Sequence, residues 1–169
     1  MNLDVYILGV MEMSKQKEKG TRMETGLVRY LRTHLSGDTS ELIHRAALTG
    51  NADQGDVHGL RYNDGNRVLQ GIAEVKNHKQ VSPSLVAKWR QETVAERENA
   101  DADFAVLVIH RNGCDQTGNA ESYGRNAAQM TVSDMLLLLG IDQSATPRDD
   151  LMSDWVETDV DGLVRLLSV

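Results

Sequence analysis

With 169 residues, 40% apolar and 25% charged, the chain is long enough for one globular domain with a real core and too short for two. No stretch approaches eighteen uninterrupted apolar residues, which excludes a membrane-spanning helix. The formal net charge of −7 speaks against a nucleic-acid ligand until its distribution is followed: residues 1–100 carry fourteen Lys and Arg against thirteen Asp and Glu, residues 101–169 four against twelve. The acidity belongs to the C-terminal part, so the composition leaves room for one face turned to DNA and a second, solvated acidic face.

The chain opens on a short apolar run from Leu3 to Val10, which has neither a basic leader nor a small-residue cleavage site and makes a poor signal peptide. The single cysteine, Cys114, has no disulfide partner and no neighbours at zinc-ligand spacing. Both features point to the cytoplasm. Met11 and Met13 precede a basic stretch, so residues 1–13 read as an N-terminal extension and Met1 need not be the true start. From Ser14 to Leu35 the spacing predicts a helix, with Leu27, Val28, Leu31 and Leu35 on one stripe, Gly20 and Gly26 weakening its early turns, and Ser36-Gly37-Asp38 ending it. Counting back three and four positions from Leu27 and Val28 places Glu24 on that buried stripe. An acid on a core face needs a partner.

Glu41 to Leu48 reads as a strand, Thr49 to Gln54 as a polar loop, and Gly55 to Tyr62 as a second strand. Asn63-Asp64-Gly65-Asn66 is a strong hairpin signal, after which Arg67 to Lys76 returns as a third strand. Ser82-Pro83-Ser84 starts a helix that runs to about Asn99 with Leu85, Val86 and Trp89 inward. Asp103 to His110 has the unbroken apolar character of a central strand covered on both faces. A long loop from Arg111 to Gly124, a short strand over Ala127–Met130 and a helix over Ser133–Leu139 follow. The tail after Pro147 is acidic but carries Val160, Leu163, Val164, Leu166 and Leu167, the pattern of a docked helix. The resulting class is α/β, a mixed central sheet flanked by helices, with residues 14–140 as the main domain and 141–169 as an acidic C-terminal extension.

The chemistry concentrates in Gly55-Asp56-Val57 and Glu74-Val75-Lys76. The two-residue period of a strand puts Glu74 and Lys76 on one face, lining a cleft, and Val75 on the other. Asp56 reaches the same cleft only in one register. A plain two-residue turn at Asp64-Gly65 pairs position 56 with 73 and sends Asp56 and Glu74 to opposite faces, so the site requires an odd-length loop or one bulge in either strand. In the right register, Asp56 and Glu74 suit Mg²⁺, which keeps several waters and takes few carboxylates. Such an ion acidifies a bound water and offsets charge on a phosphorane-like transition state, with Lys76 protonated beside it. Glu24 is placed to hold a second metal or, through water, the first. The plain alternative is that Asp56, Glu74 and Lys76 form an ion network with a structural role.

Lys19-Gly20-Thr21-Arg22-Met23-Glu24, Val28 to Leu31, Arg45, Gly50 through Val57 and Glu74-Val75-Lys76-Asn77 together resemble the PD-(D/E)XK nuclease superfamily. Within it the likeness is greatest to archaeal-type Holliday junction resolvases and related bacteriophage enzymes. It covers residues 14–112, more loosely the segment from Met130 to Leu139. The resemblance implies a restriction-endonuclease-like fold, Glu24, Asp56, Glu74 and Lys76 as catalytic residues, Mg²⁺ or Mn²⁺ as cofactor, and a homodimer that nicks opposing strands of a four-way DNA junction in recombination and repair. A phage-encoded member would act in the host cytoplasm. Gly55 stands where the motif's proline is usual, Thr49-Gly50 replaces its Ser-Gly element, and the acidic part after Arg111 is not covered by the family pattern.

Lys19, Arg22, Arg45, Thr49, His78 and Lys79 are the candidates for contacts to the DNA backbone, with solvated surface as the alternative for each. The five histidines have no paired spacing, which argues against zinc. A superfamily nuclease acting on flaps, ends or duplex sites, and a non-catalytic DNA-binding or assembly protein, are the competing functions.

Overall fold

The computed structural model describes residues 3–46, 53–141, 143 and 153–168. Helix α1 (Leu3–His34) and a short α2 (Asp38–Leu42) lead into β1 (His44–Arg45), β2 (Val57–Asn63) and β3 (Val68–Lys76). Then come α3 (Pro83–Asn99), β4 (Phe104–Ile109), a 3₁₀ turn (Glu121–Arg125), β5 (Ala127–Thr131), α4 (Val132–Leu138), β6 (Trp155–Asp159) and α5 (Val160–Leu167). Among the described residues the strands form one sheet in chain order, antiparallel throughout except for the parallel pair β3–β4. A parallel pair needs a crossover, and α3 supplies it. The fold is therefore α/β, a mixed sheet with helices on both faces, as the sequence predicts.

Two apolar layers hold the sheet. On one face Met23, Leu27 and Leu31 of α1, with Leu35 just past its end, pack with Val57, Leu60, Ala73, Val75, Val106 and Val108, joined by Val160, Leu163 and Leu167 of α5. On the other, Trp89 of α3 covers Leu107, Ile109 and Ala127. All six residues of β4 are buried, which is why that strand reads as an unbroken apolar run. Helix α3 starts where its sequence says: Ser82 Oγ accepts from Leu85 N at 3.2 Å and Pro83 takes the first turn, where its missing N–H costs nothing.

Gly26 lets α1 approach the loop after β4. A Cβ there would come within 2.4 Å of the Gln116 carbonyl oxygen. The fully buried Tyr123 donates to the Met23 carbonyl at 2.8 Å and fastens the same loop to α1. The C-terminal helix is docked, through the apolar residues above and a 2.6 Å hydrogen bond from Tyr30 Oη to Asp161 Oδ1. Ahead of it lies β6, a strand absent from the sequence reading, which pairs with β5 from Ala127↔Asp159 to Thr131↔Trp155.

Two expected boundaries need correction. Helix α1 is continuous from Leu3 and not from Ser14. The strand expected over Glu41–Leu48 is instead α2 followed by the two-residue β1, with positions 47 and 48 outside the described residues. The segment Asp38-Thr39-Ser40-Glu41 is polar and rich in residues that favour helix starts, and of the next three residues only Ile43 is buried, so no two-residue apolar alternation sustains a longer strand. No described helix is long and apolar enough to cross a membrane.

Candidate active site

The register of the β2–β3 hairpin decides whether the acids meet. Near the turn the pairs are Asn63↔Val68, Tyr62↔Leu69, Arg61↔Gln70 and Leu60↔Gly71, so residues 64–67 form an even, four-residue loop. The Asp64 carboxylate closes it by accepting from the N–H groups of Asn66 and Arg67, each at 2.9 Å. Left undisturbed, this register would place Asp56 and Glu74 on opposite faces. Between Val57 and Leu60 the register shifts: Val57 pairs with Ala73, so His58 and Gly59 together oppose Ile72 alone. That is one bulge, and it restores parity. One position further on, Asp56 draws level with Glu74, close enough for the two carboxyls to interact. The geometric condition set by the sequence is met by the bulge, not by the loop.

Gly59 makes the bulge possible. Its φ of +81° suits glycine, and a Cβ would lie 2.1 Å from the Leu42 carbonyl oxygen. Beyond the bulge Asp56 is held from both sides: its N–H donates to the Ala73 carbonyl at 3.0 Å, and its Oδ2 accepts from Val75 N at 2.9 Å.

Glu74 lies at the centre of the cluster, 3% exposed, beneath α3 and not on an open cleft wall. Its Oε1 accepts from Lys76 Nζ, which also lies 3.5 Å from Glu92 Oε2 on α3. Glu96, one turn further along α3, is buried close enough to Glu74 for the two carboxyls to interact, and its Oε2 has no hydrogen-bond partner. On the other side Glu24 of α1 is near enough to Asp56 to raise its pKa. Arg45 of β1 holds Glu24 Oε2 through Nε at 2.9 Å and Nη2 at 2.6 Å. Thus Asp56, Glu74 and Lys76 converge, Glu24 stands beside them paired to Arg45, and access is at the half-buried Asp56 and Lys76.

Burial, with Glu74 beside it, pushes the Asp56 carboxyl up to about 8. Burial likewise pushes Glu74 to about 7 against the pull of Lys76, and Glu96 to about 7. Burial favours the neutral amine of Lys76, but Glu74 and Glu92 outweigh it and hold its pKa above the ordinary value. A consequence for stability follows in the absence of divalent cations. In the unfolded chain these three acids ionise from near pH 4, whereas in the fold they keep protons up to about 7 or 8, so the folded state binds more protons across that interval and stability falls as pH rises. Thermal unfolding in EDTA is expected to give a lower Tm at about pH 8.5 than at about pH 5.5; a Tm that is level or rises over that range contradicts the assignment.

The donors suit a hard divalent cation: all are carboxylate oxygens, they are crowded and largely desolvated, and one buried oxygen lacks a partner. Among the described residues no group of three or more His, Cys, Asp or Glu side chains is set out as a metal cage. The pair Asp56 and Glu74 matches the one or two carboxylates that Mg²⁺ takes while keeping its waters.

Lys19 and Arg22 are exposed on α1, and Arg22 lines a groove with Thr21, Thr25, Arg29, Thr117 and Asn119. The Lys19 carbonyl accepts from Asn77 Nδ2 at 3.3 Å, tying the end of the Glu-Val-Lys motif to α1. Arg45 is engaged with Glu24. His78, its ring tilted against Trp89 at 5.1 Å, and Lys79 are exposed just past β3. Thr49 lies outside the described residues. Glu92 and Glu96 went unrecognised in the sequence, although a signal was present: Trp89 marks the inner side of α3, and positions 92, 93 and 96 continue its stripe at helical spacing.

Fold and site together define an α/β protein that carries a buried, lysine-paired carboxylate cluster where β2 and β3 meet α3. No family model, curated protein or solved structure matches the chain.

Proposed function

We propose that the protein is a Mg²⁺- or Mn²⁺-dependent endodeoxyribonuclease of PD-(D/E)XK type that resolves four-way DNA junctions as a homodimer. The observation that carries this reading is the bulge at Gly59, a backbone position that only glycine fills without strain, which brings Asp56 onto the face of Glu74 and Lys76. A structural ion pair between Glu74 and Lys76, two residues apart on one strand, has no need of it. A divalent ion held by Asp56 and Glu74 would supply Lewis-acid activation of water and charge neutralisation at the scissile phosphate. Lys76 remains a cation at the half-open end of the cluster, placed to orient that water or to stabilise charge developing on the phosphoryl oxygens. Arg45 fixes Glu24 next to Asp56, so that Glu24 acts from the outer side of the site. The exposed Lys19, Arg22, His78 and Lys79 can meet the DNA backbone. Paired incisions require two active sites, hence the dimer.

A second reading is favoured by the ion pairs themselves: Arg45–Glu24, Lys76–Glu74 and Lys76–Glu92 form a network that could serve a non-catalytic DNA-binding protein. Incubation with four-way junction, flap and linear duplex DNA, each in Mg²⁺, Mn²⁺ or EDTA, separates the readings. The expected result is metal-dependent paired nicking of the junction by a species that light scattering sizes as a dimer. Cleavage of flap or duplex alone moves the activity to the related nucleases, and DNA binding without cleavage in any metal supports the non-catalytic protein.

A further inference from the structure

We propose that Glu96 of α3 is a third carboxylate ligand of the cation centre, acting with Glu74 on the side of the site opposite Glu24; this rests on the metal-dependent reading above. Three observations carry it. Glu96 is 4% exposed and its Oε2 is the one buried side-chain N or O atom without a hydrogen-bond partner among the described residues. Leaving a buried acceptor unsatisfied costs about 1–3 kcal/mol, more for a charged group, so such an atom calls for a ligand. The side chain is already at the site, close enough to Glu74 for the two carboxyls to interact.

Charge balance points the same way. Asp56, Glu74 and Glu96 act on one another's charge beside Lys76, which is paired with Glu74 and also faces Glu92. Arg45 is paired with Glu24. With all three acids ionised, the cluster is left with surplus negative charge that its own cation does not cancel; buried charges persist when paired or bound to metal. A purely packing role gives no reason for a carboxylate here, since glutamine or methionine fills the same space beside Trp89 and Thr93.

The test is calorimetric titration of the full chain with Mn²⁺ near neutral pH, comparing wild type, Glu96→Gln and Asp56→Asn. Melting in EDTA at the same pH serves as the control for folding, and Glu96→Met as the second variant. The expected result is saturable binding by wild type, weakened at least about tenfold in Glu96→Gln and Glu96→Met, both of which melt in EDTA no lower than wild type. Wild-type affinity in a folded Glu96 variant, with binding lost in Asp56→Asn, overturns the role of Glu96 and leaves the metal site standing. No binding by wild type overturns both.

Discussion

Asp56→Asn is expected to lower Mg²⁺-dependent cleavage of junction DNA by about 10³-fold, a loss of about 4 kcal/mol in transition-state stabilisation, while DNA binding stays near wild type. The substitution is close to isosteric, and the amide oxygen can still accept from Val75 N, so the strand end keeps its anchor. What disappears is the negative charge offered to the cation. Because Asp56 is pushed up to about 8 by burial and by Glu74, removing its charge relieves the fold in the absence of metal. The variant is therefore expected to melt in EDTA at or above the wild-type temperature at about pH 8.5. Lost activity together with unreduced stability marks a functional carboxylate. A variant that loses both would place Asp56 in a structural network, and undiminished cleavage would sink the assignment outright.

Gly59→Ala is expected to have the largest effect on the fold. Alanine at a φ of +81° costs about 1–2 kcal/mol in left-handed backbone. Its Cβ also meets the Leu42 carbonyl oxygen at 2.1 Å, backbone that cannot turn aside as a side chain can, adding about 1–3 kcal/mol of overpacking. The sum is a loss of roughly 2–5 kcal/mol in stability, visible as a shift of the denaturant midpoint. The consequence for the site is separate: relief of the strain by slipping the ladder one residue turns Asp56 away from Glu74. Cation affinity is expected to fall even under conditions where the variant remains folded. An alanine variant with wild-type stability and wild-type cation affinity would show that the bulge is not what aligns the acids.

Much of this arrangement is legible in the sequence, and the parts that are not have identifiable causes. Strand β4 and helix α3 declare themselves because one is unbroken and apolar and the other carries Ser82 and Pro83 at its start. Asp56, Glu74 and Lys76 could be picked out by residue type, and the parity of the hairpin could be posed as a condition. It could not be solved, because the loop length and the bulge are set jointly by Asp64 closing the turn and by Leu42 pressing on Gly59 from a different element. Glu24 was found through the stripe on α1, whereas its partner Arg45 was read as a phosphate contact, since nothing local in His44-Arg45 tells which of two anions the guanidinium will meet. Glu96 was missed because an acid inside the charged run Glu92 to Glu98 looks like solvated helix surface. Only the placement of Trp89 against Leu107 and Ile109 turns that side of α3 inward. Strand β6 escaped for a similar reason: Trp155 to Asp159 is short and partly acidic, and becomes a strand by pairing with β5.

The central claim is that the bulged hairpin brings Asp56 and Glu74 together to hold a divalent cation. Titration of the wild-type chain with Mn²⁺, read by calorimetry alongside Asp56→Asn, tests it without reference to any DNA substrate. Saturable binding by wild type that is weakened at least about tenfold in the folded variant is the expected result. Absence of saturable binding at millimolar cation, or equal binding by the two proteins, contradicts it.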